Sequence, residues 1–200
     1  LFYAGLAERK KASFLESLAV NRNGFVLVTI HREINTDDTS RLEILMRTLI
    51  TLAGENSVTF VMPLHPRTVM SLKTKLPTLY TDLNNSHHIK IIPPVSYLEM
   101  ILLEKTSRMI ITDSGGVQKE SHFFRKPCLV LRAETEWVEL VKNGTAELVD
   151  ADPVKIRDGF MKYINDGSGL EYPAFYGDGK TAEFILNEII MMFEYSRSSH

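Results

Sequence analysis

The sequence predicts an α/β fold, a Rossmann-like three-layer domain built around a parallel sheet. Two observations predict it. Six short apolar runs recur along the 200 residues, and helical patterns fill the gaps between them. Most of the runs are continuous rather than alternating, which is typical of strands buried on both faces. A repeated order of strand and helix requires right-handed crossovers, and these make the strands parallel.

The six predicted strands are rich in β-branched and aliphatic residues and span 24–30, 57–63, 88–94, 108–112, 127–132 and 146–150. The helical patterns between them carry start and stop signals. Ser96 followed by Glu99 has the form of a capping box, and Asn143 with Gly144 indicates a helix end. The last helical pattern, over 179–195, is long and apolar, so we expect it to pack across the sheet or against a neighbouring domain.

Composition indicates an ordinary globular protein. Apolar residues make up 44% of the chain and charged residues 24%, and the formal net charge is -2. This balance gives no reason to expect a nucleic-acid or membrane partner, and no apolar run approaches the length of a membrane span. The single cysteine, Cys128, lies in an apolar run and is expected to be a buried hydrophobe, so a reducing cytoplasm is the expected location.

The chain starts without Met and within a helical pattern. We therefore expect residues 1–200 to form a single domain that belongs to a longer protein.

Polar side chains follow several predicted strands at their carboxyl ends, where open α/β sheets bind ligands. Those that can carry positive charge are His31, Arg32, His65, Arg67 and Arg132. Arginine offers forked donors to phosphate or carboxylate, and histidine carries a proton near neutral pH. At any one strand end such a residue is as readily a loop cap in water. As a group, they favour a site for an anionic ligand.

The fourth predicted strand leads into a turn with two adjacent glycines, in the segment TDSGGVQKES. Gly115 and Gly116 let backbone N–H groups approach a ligand without interference from a Cβ. Ser114 or Asp113 can cap the following helix, predicted over residues 117–124. The start of that helix presents unpaired N–H groups and a positive dipole end, which suit a phosphate. Glycines that serve packing alone are the alternative.

Glu120 lies one turn into the same predicted helix, where its carboxylate can accept hydrogen bonds from a ribose diol. The glycines match neither the dinucleotide-binding pattern nor a P-loop, so a nicotinamide cofactor and ATP hydrolysis are disfavoured. The sequence also lacks the histidine and cysteine spacings of a metal site and the Gly-x-Ser-x-Gly elbow of hydrolases. We expect no metal ion.

Five segments resemble, in order, the C-terminal domain of the non-hydrolysing UDP-N-acetylglucosamine 2-epimerases: VTIHREIN, PLHPR, PVSYLEMILLEKTSRMIITDSGGVQKES, KPCLVLRAETEWVE and YGDGKTAEFI. The resemblance covers nearly the whole chain. It implies one half of a GT-B type enzyme, in which two Rossmann-like domains enclose the active site. This chain corresponds to the UDP-binding half, and the N-terminal domain is absent from it.

The resemblance implies an isomerase that interconverts UDP-N-acetylglucosamine and UDP-N-acetylmannosamine by elimination and re-addition of UDP, for polysaccharide biosynthesis. It implies no redox cofactor. Because the family's carboxylates for proton transfer at C2 lie in the other domain, the isolated domain is expected to be inactive. Family members are usually homodimers.

The resemblance also implies roles for individual residues. His31 matches the active-site histidine that faces the diphosphate. Ser114, Gly115 and Gly116 match the positions that hold the diphosphate. Glu120 matches the acid that binds the ribose hydroxyls.

Further positions match the surroundings of the nucleotide. Met100 stands at the base-stacking position, where the family often has Phe, and Tyr97 is nearby. His65 and Arg32 resemble positions near the sugar nucleotide, or near a second, regulatory molecule of it. The next strand-end motif contains Arg132, with Thr135 and Glu136.

The sequence departs from the family pattern where Glu33-Ile34 replaces Arg-Glu and where Met100 replaces Phe. These changes do not affect the prediction that the chain binds UDP, but they leave the identity of the sugar undetermined. The alternatives are an epimerase of a related UDP-sugar such as UDP-2,3-diacetamido-glucuronic acid, a hydrolysing epimerase, and another GT-B nucleotide-sugar-binding protein.

Overall fold

The computed structural model describes residues 2–166, 169–177 and 180–198. The strands are β1 Phe25–Thr29, β2 Thr59–Pro63, β3 Ile89–Ile92, β4 Met109–Thr112, β5 Cys128–Val130 and β6 Ala146–Leu148. The helices are α1 Phe2–Ser17, α2 Glu33–Thr36, α3 Thr39–Asn56, α4 Pro66–Lys75, α5 Pro77–Asn85, α6 Tyr97–Thr106, α7 Gly115–Phe123, α8 Val138–Lys142, α9 Pro153–Asp166 and α10 Thr181–Ser198.

All six strands lie within the runs predicted from the sequence and pair in parallel in one sheet. Their order is β3-β2-β1-β4-β5-β6. Helices α3, α5 and α9 pack on one face of the sheet, and α1, α6 and α7 pack on the other. The predicted three-layer α/β fold is confirmed.

Strand β1 shows why its apolar run is continuous. Val26 and Val28 are fully buried in the core under α3, α5 and α9, whereas Phe25 and Leu27 are fully buried in the core under α1 and α6. Successive side chains of a strand point to opposite faces, so a sheet covered on both faces needs an apolar residue at every position.

Polar residues at the helix starts fix where the connections leave the sheet. Asp38 accepts hydrogen bonds from the N–H groups of Ser40, at 2.9 Å, and Arg41, at 3.2 Å, and caps α3. The predicted capping signature of α6 is present, because the carboxylate of Glu99 accepts from the N–H of Ser96 at 2.8 Å. Each bond satisfies an N–H that has no partner within its own helix.

Helix α10 does not pack across the sheet in the part whose side chains are described. Its described side chains, from Thr181 to Met192, are all exposed, with Phe184 at 64% and Met192 at 72%. Gly179, the first residue of the predicted helix, lies outside the described residues. Within the described ranges, no helix is both long enough and apolar enough to cross a membrane.

Gly159 on α9 offers a test of the packing between helix and sheet. A Cβ there would lie 2.7 Å from Cδ2 of the buried Leu129. We expect Gly159→Ala to lower the free energy of unfolding by about 1–3 kcal/mol, because overpacking outweighs the gain in helix propensity. Gly54→Ala on α3 is the control. Its Cβ would meet nothing within 4 Å, so a gain of about 0.5–1 kcal/mol is expected. Urea denaturation measures both, and equal effects would contradict the packing argument.

Candidate functional site

The order of the strands places the predicted motifs at the switch point of the sheet. Chain connections run outward in opposite directions from β1 and β4, which are neighbours. His31 and Arg32 follow β1, and Asp113 and Ser114 follow β4. In open α/β sheets the ligand crevice lies beyond the carboxyl ends of these two strands.

Asp113 joins the loops that follow β1 and β4. Its carboxylate is fully buried and accepts hydrogen bonds from the N–H groups of His31, at 3.1 Å, and Arg32, at 3.0 Å. It also accepts from Nδ2 of Asn35 at 3.1 Å. Nδ1 of His31 lies 3.1 Å from Oδ1 of Asp113. The loop after β1 is therefore folded around a carboxylate at the end of β4.

The pair of His31 and Asp113 favours its charged form. The side-chain hydrogen bond to Asp113 raises the pKa of His31, although burial opposes the rise. Burial alone would raise the pKa of Asp113, but the hydrogen bonds it accepts, first among them the one from His31, hold that pKa below its ordinary value. The imidazole side chain is 55% exposed. Because Nδ1 of His31 is paired with Asp113, Nε2 is the ring nitrogen that can donate to a ligand.

Asn35 extends this network across the sheet. It is fully buried, and its Nδ2 also donates to the carbonyl of Leu131 at 3.1 Å. Its Oδ1 accepts from Nη2 of Arg41 at 3.0 Å, and Arg41 pairs with Asp150. Sequence reasoning considered Asp113 only as a helix cap and gave Asn35 no role. The sequence signal that could have indicated a role for Asp113 was its position as a polar residue directly after an apolar run.

Helix α7 begins two residues earlier than predicted, so both glycines lie in its first turn. Ser114 is the cap, because its Oγ accepts from the N–H of Val117 at 3.4 Å. Its own N–H donates to Oγ1 of Thr112 at 2.9 Å, which fixes the turn. The N–H groups of Gly115 and Gly116 occupy the first two helical positions, where no carbonyl of the same helix can accept from them.

The two glycines have different surroundings. A Cβ on Gly115 would lie 3.4 Å from Oε2 of Glu136. Within the described residues, a Cβ on Gly116 would meet only Oγ of Ser114, at 3.9 Å. Added atoms are therefore crowded less at Gly116 than at Gly115, and binding of a ligand at this turn stays a prediction.

Glu136 pairs with two of the predicted arginines beside this turn. Nη1 and Nη2 of Arg132 donate to its two carboxylate oxygens, both at 2.9 Å, and Nη2 of Arg32 lies 3.7 Å away. The hydrogen bond from Arg132 is the main cause that lowers the pKa of Glu136 to about 2. Both guanidinium groups lie near the start of α7, but a carboxylate shares their charge. The rim is therefore less positive than its arginines alone suggest.

His65 lies one strand further along the sheet edge, after β2. Its Nδ1 accepts from the N–H of Arg67 at 3.2 Å, so it caps α4. Arg67 pairs with Asp37 at 2.6 Å and with Glu33 at 3.4 Å. The structure thus gives His65 a local capping role, and its contact with a sugar nucleotide stays a prediction.

Helices α6 and α7 bring the predicted base-binding and ribose-binding residues to one face of the sheet. Met100 packs partly buried in the core beside α1, and the Tyr97 ring meets the Tyr3 ring edge-on, with centroids 5.7 Å apart. Burial, followed by the charge of Glu120, raises the pKa of Tyr97. A common nucleoside site for Met100, Tyr97 and Glu120 stays a prediction.

Cys128 is fully buried in β5, as predicted, and burial raises its pKa to about 12. Such a thiol is a poor nucleophile. In the described part of the chain, no group of three or more His, Cys, Asp or Glu side chains is arranged to hold a metal ion.

Comparison with known proteins supports the same interpretation. The sequence model of the UDP-N-acetylglucosamine 2-epimerase family matches residues 3–190. The chain belongs to this family. One curated member, a UDP-N-acetylglucosamine 2-epimerase homolog of Methanococcus maripaludis, is 37% identical over 88% of this chain and 47% of its own length. The UDP-2,3-diacetamido-2,3-dideoxy-D-glucuronate 2-epimerase of Pseudomonas aeruginosa is 41% identical over 82% and 44%.

Solved structures of the epimerase family share the fold. The UDP-GlcNAc 2-epimerase from Methanocaldococcus jannaschii has a TM-score of 0.83 and 32% identity over 94% of this chain and 51% of that one. Its complex with UDP-GlcNAc and UDP has a TM-score of 0.81 and 31% identity over 96% and 51%. The chain spans about half the length of the relatives it matches. It has the Rossmann-like architecture predicted for one half of a GT-B type epimerase.

Proposed function

We propose that residues 1–200 are the UDP-binding, C-terminal domain of a UDP-N-acetylglucosamine 2-epimerase. The observation that carries this proposal is the His31–Asp113 pair, which joins the loop after β1 to the start of α7 at the switch point of the sheet. A cationic imidazole and a helix N-terminus together suit a diphosphate. Support comes from the family match and from a relative whose structure contains UDP-GlcNAc and UDP.

The diphosphate lies at the first turn of α7 in this proposal. The N–H groups of Gly115 and Gly116 and the hydroxyl of Ser114 donate to its oxygens, and Nε2 of His31 donates from the opposite side. These donors stabilise the charge that develops on UDP as it departs. Arg32 joins them from the loop after β1, and it remains close enough to Glu136 to share its charge with that residue.

The nucleoside lies along α6 and α7. Glu120 accepts from both ribose hydroxyls, and Met100 with Tyr97 packs against the uracil base. Arg132 lies beside the first turn of α7, where Glu136 shares its charge, and His65 lies one strand further along the sheet edge. The alternative that the resemblance implies is that His65 and Arg32 lie near a second, regulatory sugar nucleotide.

In the reaction, the C1–O bond to UDP breaks while the proton on C2 passes to a base, and the C–H electron pair forms the C1–C2 double bond. Re-addition of UDP and delivery of a proton to the opposite face of C2 give the epimer. This domain supplies stabilisation of the leaving group. We assign the acid and base at C2 to carboxylates of an N-terminal domain.

An N-terminal domain also has a surface to pack on. Phe184, Ile185, Ile189 and Met192 of α10 are exposed apolar side chains. An exposed apolar helix of this kind marks an interaction site. The homodimer stays a prediction from the resemblance, and the cytoplasmic location stays a prediction from the single cysteine, Cys128.

The decisive experiment uses the two-domain enzyme, meaning this chain together with its N-terminal domain. Incubated with UDP-N-acetylglucosamine in deuterated water, it is expected to form UDP-N-acetylmannosamine with deuterium at C2. Absence of deuterium at C2 would sink the epimerase assignment. The 200-residue chain alone is expected to bind UDP and show no turnover, and turnover by it would contradict the division of labour between the domains.

A related substrate is the second candidate. The Pseudomonas aeruginosa relative named for UDP-2,3-diacetamido-2,3-dideoxy-D-glucuronate is 41% identical to this chain, and Met100 departs from the pattern of the N-acetylglucosamine enzymes. Comparing kcat/KM for the two UDP-sugars decides between them, since specificity is the ratio of these constants.

Gly116 tests the position of the diphosphate. Gly116→Ala places a methyl group beside the Ser114 hydroxyl, where no other described atom is within 4 Å. We expect UDP affinity to fall about tenfold, equivalent to about 1.4 kcal/mol, with little change in Tm. Gly54→Ala adds the same methyl group far from the site and is expected to leave UDP affinity unchanged. Calorimetry with UDP measures both, and equal affinities would argue against a phosphate at this turn.

A further inference from the structure

Glu104 is a fully buried acid to which sequence analysis gave no role. It lies on α6, and within the described residues no N–H or O–H group donates to either of its carboxylate oxygens. No described lysine, arginine or histidine forms an ion pair with it; the neighbouring Lys105 pairs with Glu8 instead. An ionised carboxylate in such surroundings is very costly, and the usual outcome is that the group takes up a proton.

The group that Glu104 faces is Glu120, the acid proposed to bind the ribose. The two carboxyl groups lie on α6 and α7, which pack against each other, and each affects the pKa of the other. Two carboxylates cannot bond to each other, because neither has a proton to donate. The contact becomes favourable only when one of the pair is a neutral acid.

The surroundings decide which of the two acids carries the proton. The other titratable groups that sense the charge of Glu104 are Tyr97, at the start of α6, and Cys128, on β5, and neither is a cation. Burial, followed by the charge of Glu120, raises the pKa of Glu104 to about 9. Burial also raises the pKa of Glu120, and its interaction with Glu104 opposes that rise. Because Glu104 is fully buried whereas Glu120 is partly exposed, the shared proton belongs to Glu104.

We propose that Glu104, as a neutral carboxylic acid, donates a hydrogen bond to Glu120 and so fixes the carboxylate of Glu120 in the orientation that accepts both ribose hydroxyls. Glu104 is thus a positioning residue for the ribose. The inference rests on the proposed function, in which Glu120 binds the ribose. A carboxylate held by an acid behind it keeps its other lone pairs for the ligand.

The pair gives UDP binding a dependence on alkaline pH. Near neutral pH, Glu104 holds its proton and the hydrogen bond is intact. As pH rises through about 9, Glu104 ionises and two carboxylates then repel each other. The affinity for UDP is expected to fall over this range. His31 loses its charge as pH rises too, so the contribution of Glu104 is the part that a Glu104 variant removes.

The test uses the two-domain enzyme and two ligands, UDP and 2′,3′-dideoxy-UDP, which lacks both ribose hydroxyls. Glu104→Met removes the donor at similar volume. It is expected to weaken UDP binding about tenfold, the scale of one lost charge-assisted hydrogen bond, and to leave dideoxy-UDP binding unchanged. Glu104→Gln keeps an N–H donor that never ionises. It is expected to retain UDP affinity at pH 7 and to lose the decline near pH 9.

The two ligands separate positioning of the ribose from loss of packing. Equal weakening of UDP and dideoxy-UDP by Glu104→Met would overturn the inference, as would unchanged UDP affinity in that variant or a decline near pH 9 that persists in Glu104→Gln. In those cases UDP binding by the wild-type enzyme still supports the proposed function. A wild-type enzyme that binds no UDP would overturn the proposed function and this inference with it.

Discussion

Replacing His31 with Ala is expected to lower kcat of the two-domain enzyme by about 10²–10⁴-fold, the usual range for a positioned proton donor. The imidazole is held by Asp113 through Nδ1, so Nε2 is the ring nitrogen left to donate to the departing diphosphate. Removing it leaves the departing diphosphate with the Ser114 hydroxyl, the helix N–H groups and Arg32. Steady-state kinetics with UDP-N-acetylglucosamine measures the loss.

His31→Ala is also expected to change the pH dependence of UDP binding. Because the pKa of His31 is raised above 6.5, its positive charge is fully present below that pH and is lost as pH rises through the raised value. UDP affinity of the wild-type enzyme should fall over that interval, and His31→Ala should lack this step. His87→Ala, an exposed histidine before β3 at the opposite end of the sheet, is the control and should change neither property. A His31→Ala enzyme that keeps both its kcat and its pH step would refute the assignment.

The fold could be predicted because its signals are local. Each strand is a continuous apolar run, and polar caps such as Asp38 and Ser96 mark the helix starts. The order of the strands could not be predicted, because periodicity says which face a residue buries and nothing about which strand lies beside it. The start of α7 was placed two residues late because glycine is a poor helix former. In the structure the Ser114 cap starts the helix at Gly115 despite the low helix propensity of the two glycines.

The residues at the site could be predicted better than their partners. Histidine, serine and glycine at strand ends are visible in the sequence, but the contact of Asp113 with the His31 loop spans 82 residues and depends on β1 lying beside β4. Arg132 and Glu136 are only four residues apart in the sequence, but their ion pair depends on the path of the loop after β5. Burial of Glu104 depends on how α1 and α7 pack against α6, which the periodicity of α6 does not reveal.

Asp113 is expected to be the most sensitive position for stability. Asp113→Ala removes the acceptor for the N–H groups of His31 and Arg32 and for the buried amide of Asn35. Each buried donor left without a partner costs about 1–3 kcal/mol, so we expect the free energy of unfolding to fall by about 3 kcal/mol or more. Asp113→Asn keeps the volume and one acceptor oxygen, so its loss is expected to be smaller. Urea denaturation of the chain measures both variants.

Asp113→Asn also separates the contribution of the Asp113 charge to stability from that of the side chain's shape. The low pKa of Asp113 makes its contribution to stability present above 3.8 and lost as pH falls through the lowered value. The raised pKa of His31 makes its contribution present below 6.5 and lost as pH rises through the raised value. The charged pair therefore stabilises the wild-type chain most between these limits, and Asp113→Asn should flatten both sides of that profile. Asp152→Asn, which replaces the cap of α9 with another good cap, should keep the profile. If Asp113→Asn kept it as well, the stabilising effect of Asp113 would come from hydrogen-bond geometry alone, and the charge on His31 would need another origin.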